Sequence, residues 1–353
     1  MKILLVQDRL RGGGTERQTV FLARAFAARG HTVSLLTFRP GGALAGELAG
    51  TVIARRALQP FDTGLDWFAP GLVRSARGFG PDLVLCMGRM ANCRGARLQR
   101  ALPRSAVVAT VRTGKNLPWL YRRSLRTARA VVANSEFARR HLIEPAGAAD
   151  RCTVIPNALL FAALRDLVPA PAAPPVILHV GQFRSGKGQR ELLGLCAALP
   201  RDLAWRLEFV GDGPERRPCE RAAAAAGLAD RVVFHGWQSN PVEFYRRASI
   251  AALASLPGFE SLPNFLVEAQ CAGLPVVAFP TDGVGETFLA GETGLSIAAG
   301  DATGFTTALR ELLTQPERRA AMSAAARVWA RARFDPDRQA EAYLALFARL
   351  VAH

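Results

Sequence analysis

The chain has 353 residues, half of them hydrophobic, and a formal net charge of +16. That length suits two domains with a sizeable core, and the composition excludes a disordered chain. The longest apolar runs are broken by Arg or Gly well short of a bilayer's thickness, which excludes a membrane-spanning helix.

Lys2-Ile3-Leu4-Leu5-Val6 reads as a first buried strand. It is too short for a signal peptide, so a cytoplasmic protein is expected. The turn Gly12-Gly13-Gly14 follows, with Thr15 as the expected cap of a helix to about Ala28 and Gly30 just past its end. Residues 31–37 form the next strand. Strand, turn, helix and strand in this order imply a parallel sheet with crossover helices. Further strands are expected at 82–86, 106–110 and 130–133, and Asn134 or Ser135 caps the helix after the last.

The positive charge is uneven. From Arg89 to Arg140 only Glu136 opposes a long series of Arg and Lys, and such a field attracts polyanions, whether nucleic acid or an anionic lipid surface. Within it Trp119, Leu120 and Tyr121 adjoin Arg122 and Arg123, and Arg126 and Arg129 continue at helical spacing. An amphipathic helix on an anionic bilayer has this composition, and so has a partly buried domain helix; the surrounding field favours the membrane surface.

The Pro/Ala-rich run 166–175 reads as a stiff linker between residues 1–165 and a second unit at 176–334. In that unit a strand at 176–180 leads into a glycine turn carrying Arg184 and Lys187 before a helix. Cations and free amides at such a turn cradle an anion. Strands at 207–210 and 250–253 follow, with a further strand opening the stretch 232–237 between them.

Glu260 and Glu268 then bracket a helix start. Pro263 suits a first helical turn, and the amides near Pro263 to Leu266 make a place for a phosphate. If residues 260–268 were all helical, the carboxylates would lie ~12 Å apart along the axis. That is too far for the paired acids of a glycosidase, yet it suits the two ends of one long ligand with phosphates between, such as a nucleotide-sugar. The plainer alternative is a surface Glu and a solvated helix Glu. Residues 335–350 form a last amphipathic helix with Ala340, Tyr343, Leu344 and Phe347 on one face. Six cysteines without a Cys-x-x-Cys pair or a His cluster read as reduced core thiols, and no metal is expected.

These motifs together resemble retaining glycosyltransferase family 4. The resemblance rests on Glu260-x7-Glu268, on Ala272-Gly273-Leu274-Pro275-Val276-Val277-Ala278 after it, and on the turns at Gly13-Gly14, Pro156-Asn157, Gly181 to Gly188 and Asp282 to Glu286. It implies an α/β chain of GT-B fold: two facing Rossmann-like, doubly wound domains with an interdomain cleft. Residues 1–165 would bind the acceptor, with a crossover helix at about 335–353 returning to them, and 176–334 would bind the donor.

The resemblance also assigns roles. Lys187 and Arg184 would neutralise a leaving diphosphate beside Gly181, while Glu260 approaches the sugar and Glu268 holds the ribose. His235, Gly236 and Trp237 would line the base pocket, and Ser261, Leu262, Pro263 and Asn264 would form the helix start facing the donor. Gly13 and Gly14 would bind the donor, on a loop bordering the cleft near the diphosphate and the acceptor. The chain departs from the family where Gln182 replaces an Arg, Ala158 a Gly, and Val284 enters the last loop. The family's cleft His is absent too. Arg112 stands at that turn, either binding an anionic acceptor or donor or belonging to the basic surface.

The implied reaction is retaining transfer from a nucleotide diphosphate-sugar, UDP-linked by preference, without metal or other cofactor. The acceptor would be a hydroxyl of a membrane-borne glycolipid or polysaccharide precursor. Trp119, Arg122, Arg123 and Arg126 would hold the protein on the inner face of the cytoplasmic membrane. An inactive nucleotide-sugar-binding protein is the alternative. A nucleic-acid binder fits less well, lacking interleaved stacking aromatics and a helix-turn-helix pattern.

Overall fold

The apolar runs form two wholly parallel sheets in a computed structural model that describes residues 1–352 of the chain. The first unit comprises Met1–Leu160 and a C-terminal helix, the second Phe161–Asp335.

In the first unit the elements are β1 (Lys2–Gln7), α1 (Gly14–Ala28), β2 (Thr32–Thr37), β3 (Ala54–Ala57), α2 (Leu72–Phe79), β4 (Leu83–Cys86), α3 (Arg89–Ala101), β5 (Ala106–Val111), α4 (Trp119–Thr127), β6 (Ala130–Ala133), α5 (Glu136–Ala138) and β7 (Cys152–Val154). The strand order is β3-β2-β1-β4-β5-β6-β7. In register, Ile3 of β1 faces Val33 of β2 and Leu83 of β4. The order therefore reverses between β1 and β4, and the crevice beyond the carboxyl ends of such a strand pair is where open α/β sheets bind ligands.

The second unit runs β8 (Val176–Val180), α6 (Gln189–Ala197), β9 (Arg206–Val210), α7 (Arg216–Ala225), β10 (Val232–Phe234), α8 (Val242–Arg247), β11 (Ile250–Leu253), α9 (Asn264–Ala272), β12 (Val276–Ala278), β13 (Gly294–Ser296), α10 (Ala302–Thr314) and α11 (Pro316–Arg333). Its order is β10-β9-β8-β11-β12-β13, so the reversal lies between β8 and β11. Its core joins Phe183, Leu192, Phe209, Ile250, Phe305 and Leu309.

The final helix α12 (Pro336–Val351) belongs to the first unit. Tyr343 and Phe347 are fully buried and meet the Phe26 ring edge-on, at 6.2 and 5.4 Å. Gln339 donates to Gln18 Oε1 at 3.1 Å and to the Pro156 carbonyl at 2.6 Å.

Three expectations change. Gly13, not Thr15, precedes the first helix, and the Glu16 carboxylate supplies the cap by accepting the amides of Gly12 and Gly13 at 2.6 and 2.8 Å. The 166–175 run, expected as a stiff linker, belongs to the second unit, and its Ala170 and Ala172 amides donate to the carbonyls of Arg246 and Arg247, both at 2.9 Å. The unit boundary falls instead at Leu160. Strands β3, β7 and β13 were not foreseen; each lies at a sheet edge. All six cysteines are free, and burial pushes the Cys86 thiol up to about 12.

Candidate functional site

The glycine turn after β8 and the turn after β11 meet at the switch point of the second sheet. A Cβ on Gly186 would stand 2.3 Å from the Phe259 ring, and one on Gly188 would stand 2.3 Å from the Ala254 backbone. Both glycines also have positive φ, at 82° and 80°, which a side chain would strain. The Leu256 amide donates to the Gly186 carbonyl at 3.0 Å, closing one turn on the other. Lys187 Nζ consequently reaches Glu260 Oε1 at 2.7 Å, and Ser255 Oγ donates to the same oxygen at 3.1 Å. Glu260 is only 7% exposed, so this pair is a buried carboxylate with a half-buried cation. Arg184 is exposed on the same turn.

A residue the sequence reading did not single out holds this arrangement. Asp282 takes the amides of Gly258, Phe259 and Glu260 on its carboxylate, at 2.8 to 3.0 Å. It sits at φ 53°, a left-handed conformation that Asp tolerates better than most residues. The turn before α9 is thereby fixed by a carboxylate more than twenty residues downstream, and nothing local in the sequence marks that partnership.

Pro263 is the residue preceding α9, and Gly273 ends that helix in a left-handed conformation. Ser261, Leu262 and Pro263 are buried, and Asn264 is half-buried. Glu268 is not a solvated helix Glu: it is buried and accepts the Tyr245 hydroxyl at 2.6 Å. Tyr245, on α8, is a second group that sequence reasoning missed.

At the end of β10, His235 Nε2 lies 3.0 Å from Glu208 Oε2, an oxygen that Arg247 also reaches. The His235 ring packs on Phe244 at 4.7 Å, and Gly236 accepts the Gly211 amide at 2.8 Å. Trp237 is 49% exposed. A separate, mostly apolar cavity of about 670 Å³ opens beside Ser255, Leu256, Pro257 and Phe279; Lys187, Glu260 and Glu268 do not line it. Among the described residues no group of three or more His, Cys, Asp or Glu side chains gathers as metal ligands would.

The remaining predicted residues lie in the first unit. Gly13 and Gly14 open α1, but the amides of Gly12 and Gly13 are occupied by Glu16. Beside them, at the switch point, Asp8 accepts the α3 amides of Met90 and Ala91 at 2.9 and 2.7 Å, and burial raises its carboxyl to about 6. Arg112 is not part of an open basic surface. It bonds the Tyr343 hydroxyl at 3.2 Å and the Asn157 side chain, and burial lowers its pKa. Helix α4 lies against α3, with Tyr121 buried and bonded to the Thr110 carbonyl. Trp119, at its start, is 63% exposed with Arg123 stacked 5.5 Å from the ring, and Arg122 and Arg126 face solvent.

Comparison with known proteins agrees with this organisation. The family model Glycosyltransferase Family 4 matches residues 12–159, and the model Glycosyl transferases group 1 matches residues 163–329. Two relatives from Rhizobium meliloti (strain 1021) are the lipopolysaccharide core biosynthesis glycosyltransferases LpsE and LpsD. LpsE is 30% identical over 184 residues, 52% of this chain and 53% of that protein. LpsD is 33% identical over 182 residues, 52% of each. The chain thus spans about half the length of the curated relatives it matches. Among solved structures, Anabaena Alr3699/HepE in complex with UDP superposes with a TM-score of 0.82 at 22% identity, over 99% of this chain and 100% of that one. Two parallel-sheet, Rossmann-like units with such neighbours make a GT-B fold. With one family model on each unit, the chain belongs to the group 1, family 4-type glycosyltransferases.

Proposed function

We propose that the protein transfers a glycosyl group from a nucleotide diphosphate-sugar, by preference a UDP-sugar, to a hydroxyl of a membrane-borne glycolipid or polysaccharide precursor. The observation that carries this reading is the Lys187–Glu260 pair, mounted on a glycine turn at the switch point of the second sheet. A cation and a carboxylate side by side there suit a diphosphate and the sugar attached to it. The relatives' names favour a lipopolysaccharide-type acceptor. The HepE complexes with UDP and UDP-glucose favour a uridine donor.

In this reading Lys187 and Arg184 balance the charge of the departing diphosphate, a task for pre-set cations rather than a metal ion. Glu260 accepts a sugar hydroxyl. Glu268, oriented by Tyr245, accepts from the ribose diol, and the segment at His235, Gly236 and Trp237 faces the base. The bond from the anomeric carbon to the phosphate oxygen breaks as the bond to the acceptor oxygen forms on the same face. The acceptor's proton passes to the leaving phosphate, so configuration is retained. Gly13 and Gly14 serve the donor, and Arg112 an anionic acceptor or donor. The basic surface with Trp119, Arg122, Arg123 and Arg126 rests on anionic lipid at the inner face of the cytoplasmic membrane. Each cation near such a surface contributes on the order of 1 kcal/mol.

A thermal-shift panel of UDP-, GDP- and ADP-sugars tests the donor. One nucleotide should stabilise the protein, by an amount lost in Lys187→Ala, and an NMR spectrum of the product should show the donor's anomeric configuration. No shift with any nucleotide would end this reading.

A further inference from the structure

Four large apolar side chains stand in solvent within one short loop of the first unit: Phe61, 70% exposed; Leu65, 42%; Trp67, 55%; and Phe68, 38%. An ordinary loop tip is polar, and a run of exposed apolar residues marks an interaction site.

The loop is not slack. From beneath, Arg39, whose side chain is only 6% exposed, donates to both oxygens of Asp62 at 2.6 and 2.8 Å and to Asp66 at 2.8 Å. That guanidinium holds the Asp62 carboxyl at about 2. The buried Gln59 side chain donates to the carbonyls of Leu65 and Phe68 at 2.9 and 2.6 Å and accepts the Thr63 hydroxyl at 2.8 Å. Arg9 adds a second bond to Asp66, at 2.7 Å. Sequestering a guanidinium and an amide in this way costs desolvation. Here it fixes a backbone whose apolar side chains keep much of their surface in solvent, so what it maintains is a rigid apolar crown.

The surroundings indicate the occupant. Arg94 of α3 donates to the Trp67 carbonyl at 2.9 Å, and Arg77 of α2 reaches the end of α3 at the Ala101 carbonyl. Arg74, Arg77, Arg97 and Arg100 are exposed on these two helices. Helix α4, with exposed Trp119 and Leu120, packs on α3 through the Ala96 amide and Ser124 Oγ at 2.9 Å. From Trp67 to Ser135 the sequence has thirteen Arg and Lys against one acid, Asp82. The two acids inside the loop are already paired with Arg39 and Arg9.

We propose that residues 61–68 form the element that inserts into an anionic lipid surface, with α2, α3 and α4 supplying the charge around it. Trp and Phe favour the headgroup level of a bilayer, and cations beside them meet anionic headgroups. This rests on the membrane reading above and changes its centre: α4 contributes charge and Trp119, while the loop supplies most of the apolar insertion.

The test compares wild type with Phe61→Ser/Trp67→Ser and with Arg122→Glu/Arg123→Glu/Arg126→Glu, by sedimentation with phosphatidylglycerol-containing and neutral vesicles. The loop variant should keep its melting temperature and its affinity for the nucleotide diphosphate, because both changed side chains are exposed. Its partitioning should fall roughly tenfold or more, the expected loss for two aromatic side chains. What binding remains should be fully released by salt, whereas wild type should be released only in part, because apolar insertion is not screened. Lipids brominated in their acyl chains should quench wild-type tryptophan fluorescence more than that of Trp67→Phe. If wild type ignores phosphatidylglycerol vesicles altogether, the membrane reading itself falls. If wild type binds and the loop variant binds equally, only the loop assignment falls. Normal vesicle binding with a raised KM for a soluble acceptor fragment would make the aromatic crown a glycan platform and overturn the proposal.

Discussion

The Asp282 carboxylate accepts the backbone amide of Glu260 at 3.0 Å, and the same oxygen takes the Phe259 amide at 2.9 Å. Glu260 therefore owes its place to a residue that does not touch its side chain. Asp282→Ala should leave those amides without their partner and loosen the turn. A misplacement near 1 Å at a reacting centre lowers rate about 100-fold, and a fall of that order in kcat is expected. Affinity for the free nucleotide diphosphate should change little, because the Lys187 turn is held by Gly186 and Gly188. Asp282→Asn, which keeps one acceptor oxygen and tolerates the left-handed backbone, should recover part of the rate. A wild-type kcat in Asp282→Ala would show that the clamp is dispensable.

Lys187→Ala removes the cation beside Glu260. Binding of the free nucleotide diphosphate, measured by calorimetry, should weaken by about 2 kcal/mol, roughly 30-fold, the scale of one hydrogen bond to a charged group. Glu268→Ala should abolish turnover too, while leaving circular dichroism unchanged. Normal diphosphate binding by Lys187→Ala would remove the turn from the donor site.

Two buried groups should give the units opposite acid responses. His179 in β8 is buried between Phe209 and Phe265, and desolvation lowers its pKa from 6.5 to about 4. Between those values the unfolded chain binds the extra proton, so the second unit loses stability as pH falls from about 6.5 to 4. Asp8 is raised from 3.8 to about 6, so the folded first unit binds the extra proton and loses stability as pH rises through that window. Protection factors of β8 amides, corrected for intrinsic exchange, should fall on acidification, and those of β1 amides should rise. His179→Gln should flatten the first trend and Asp8→Asn the second. Parallel trends in both units would refute the assignment.

Activity should persist in excess EDTA, since the proposed charge balance relies on Lys187 and Arg184. Loss of turnover in EDTA, restored by magnesium or manganese, would assign that role to an ion instead.

The sequence makes the central strands legible because they are buried on both faces and read as unbroken apolar runs: residues 3–6, 130–133 and 250–253 are examples. Ala54–Ala57, with two exposed arginines, offers no such run, because an edge strand has only one neighbour. Cys152–Val154 and Gly294–Ser296 escape notice for the same reason. At the site, Lys187, Glu260 and Glu268 are visible as charged residues at marked turns and helix starts. Their partners are not. Asp282 and Tyr245 act through contacts made only when elements more than twenty residues apart assemble, and no periodicity encodes that. Thr15 looked like a cap by residue type, yet Gly13 holds the cap position and Glu16 reaches back to the amides of Gly12 and Gly13.

Helix α12 completes the hydrophobic interior of the first unit through Tyr343 and Phe347, although residues 161–335 intervene. The second unit is thus an insertion within the first. On the ribosome the amino-terminal sheet emerges early but must wait, with the Phe26 surface uncovered, until α12 has been made. The second unit closes on itself as one continuous stretch and needs no such delay. Loss of the segment that forms α12 should therefore injure the first unit, although most of that unit is encoded far upstream.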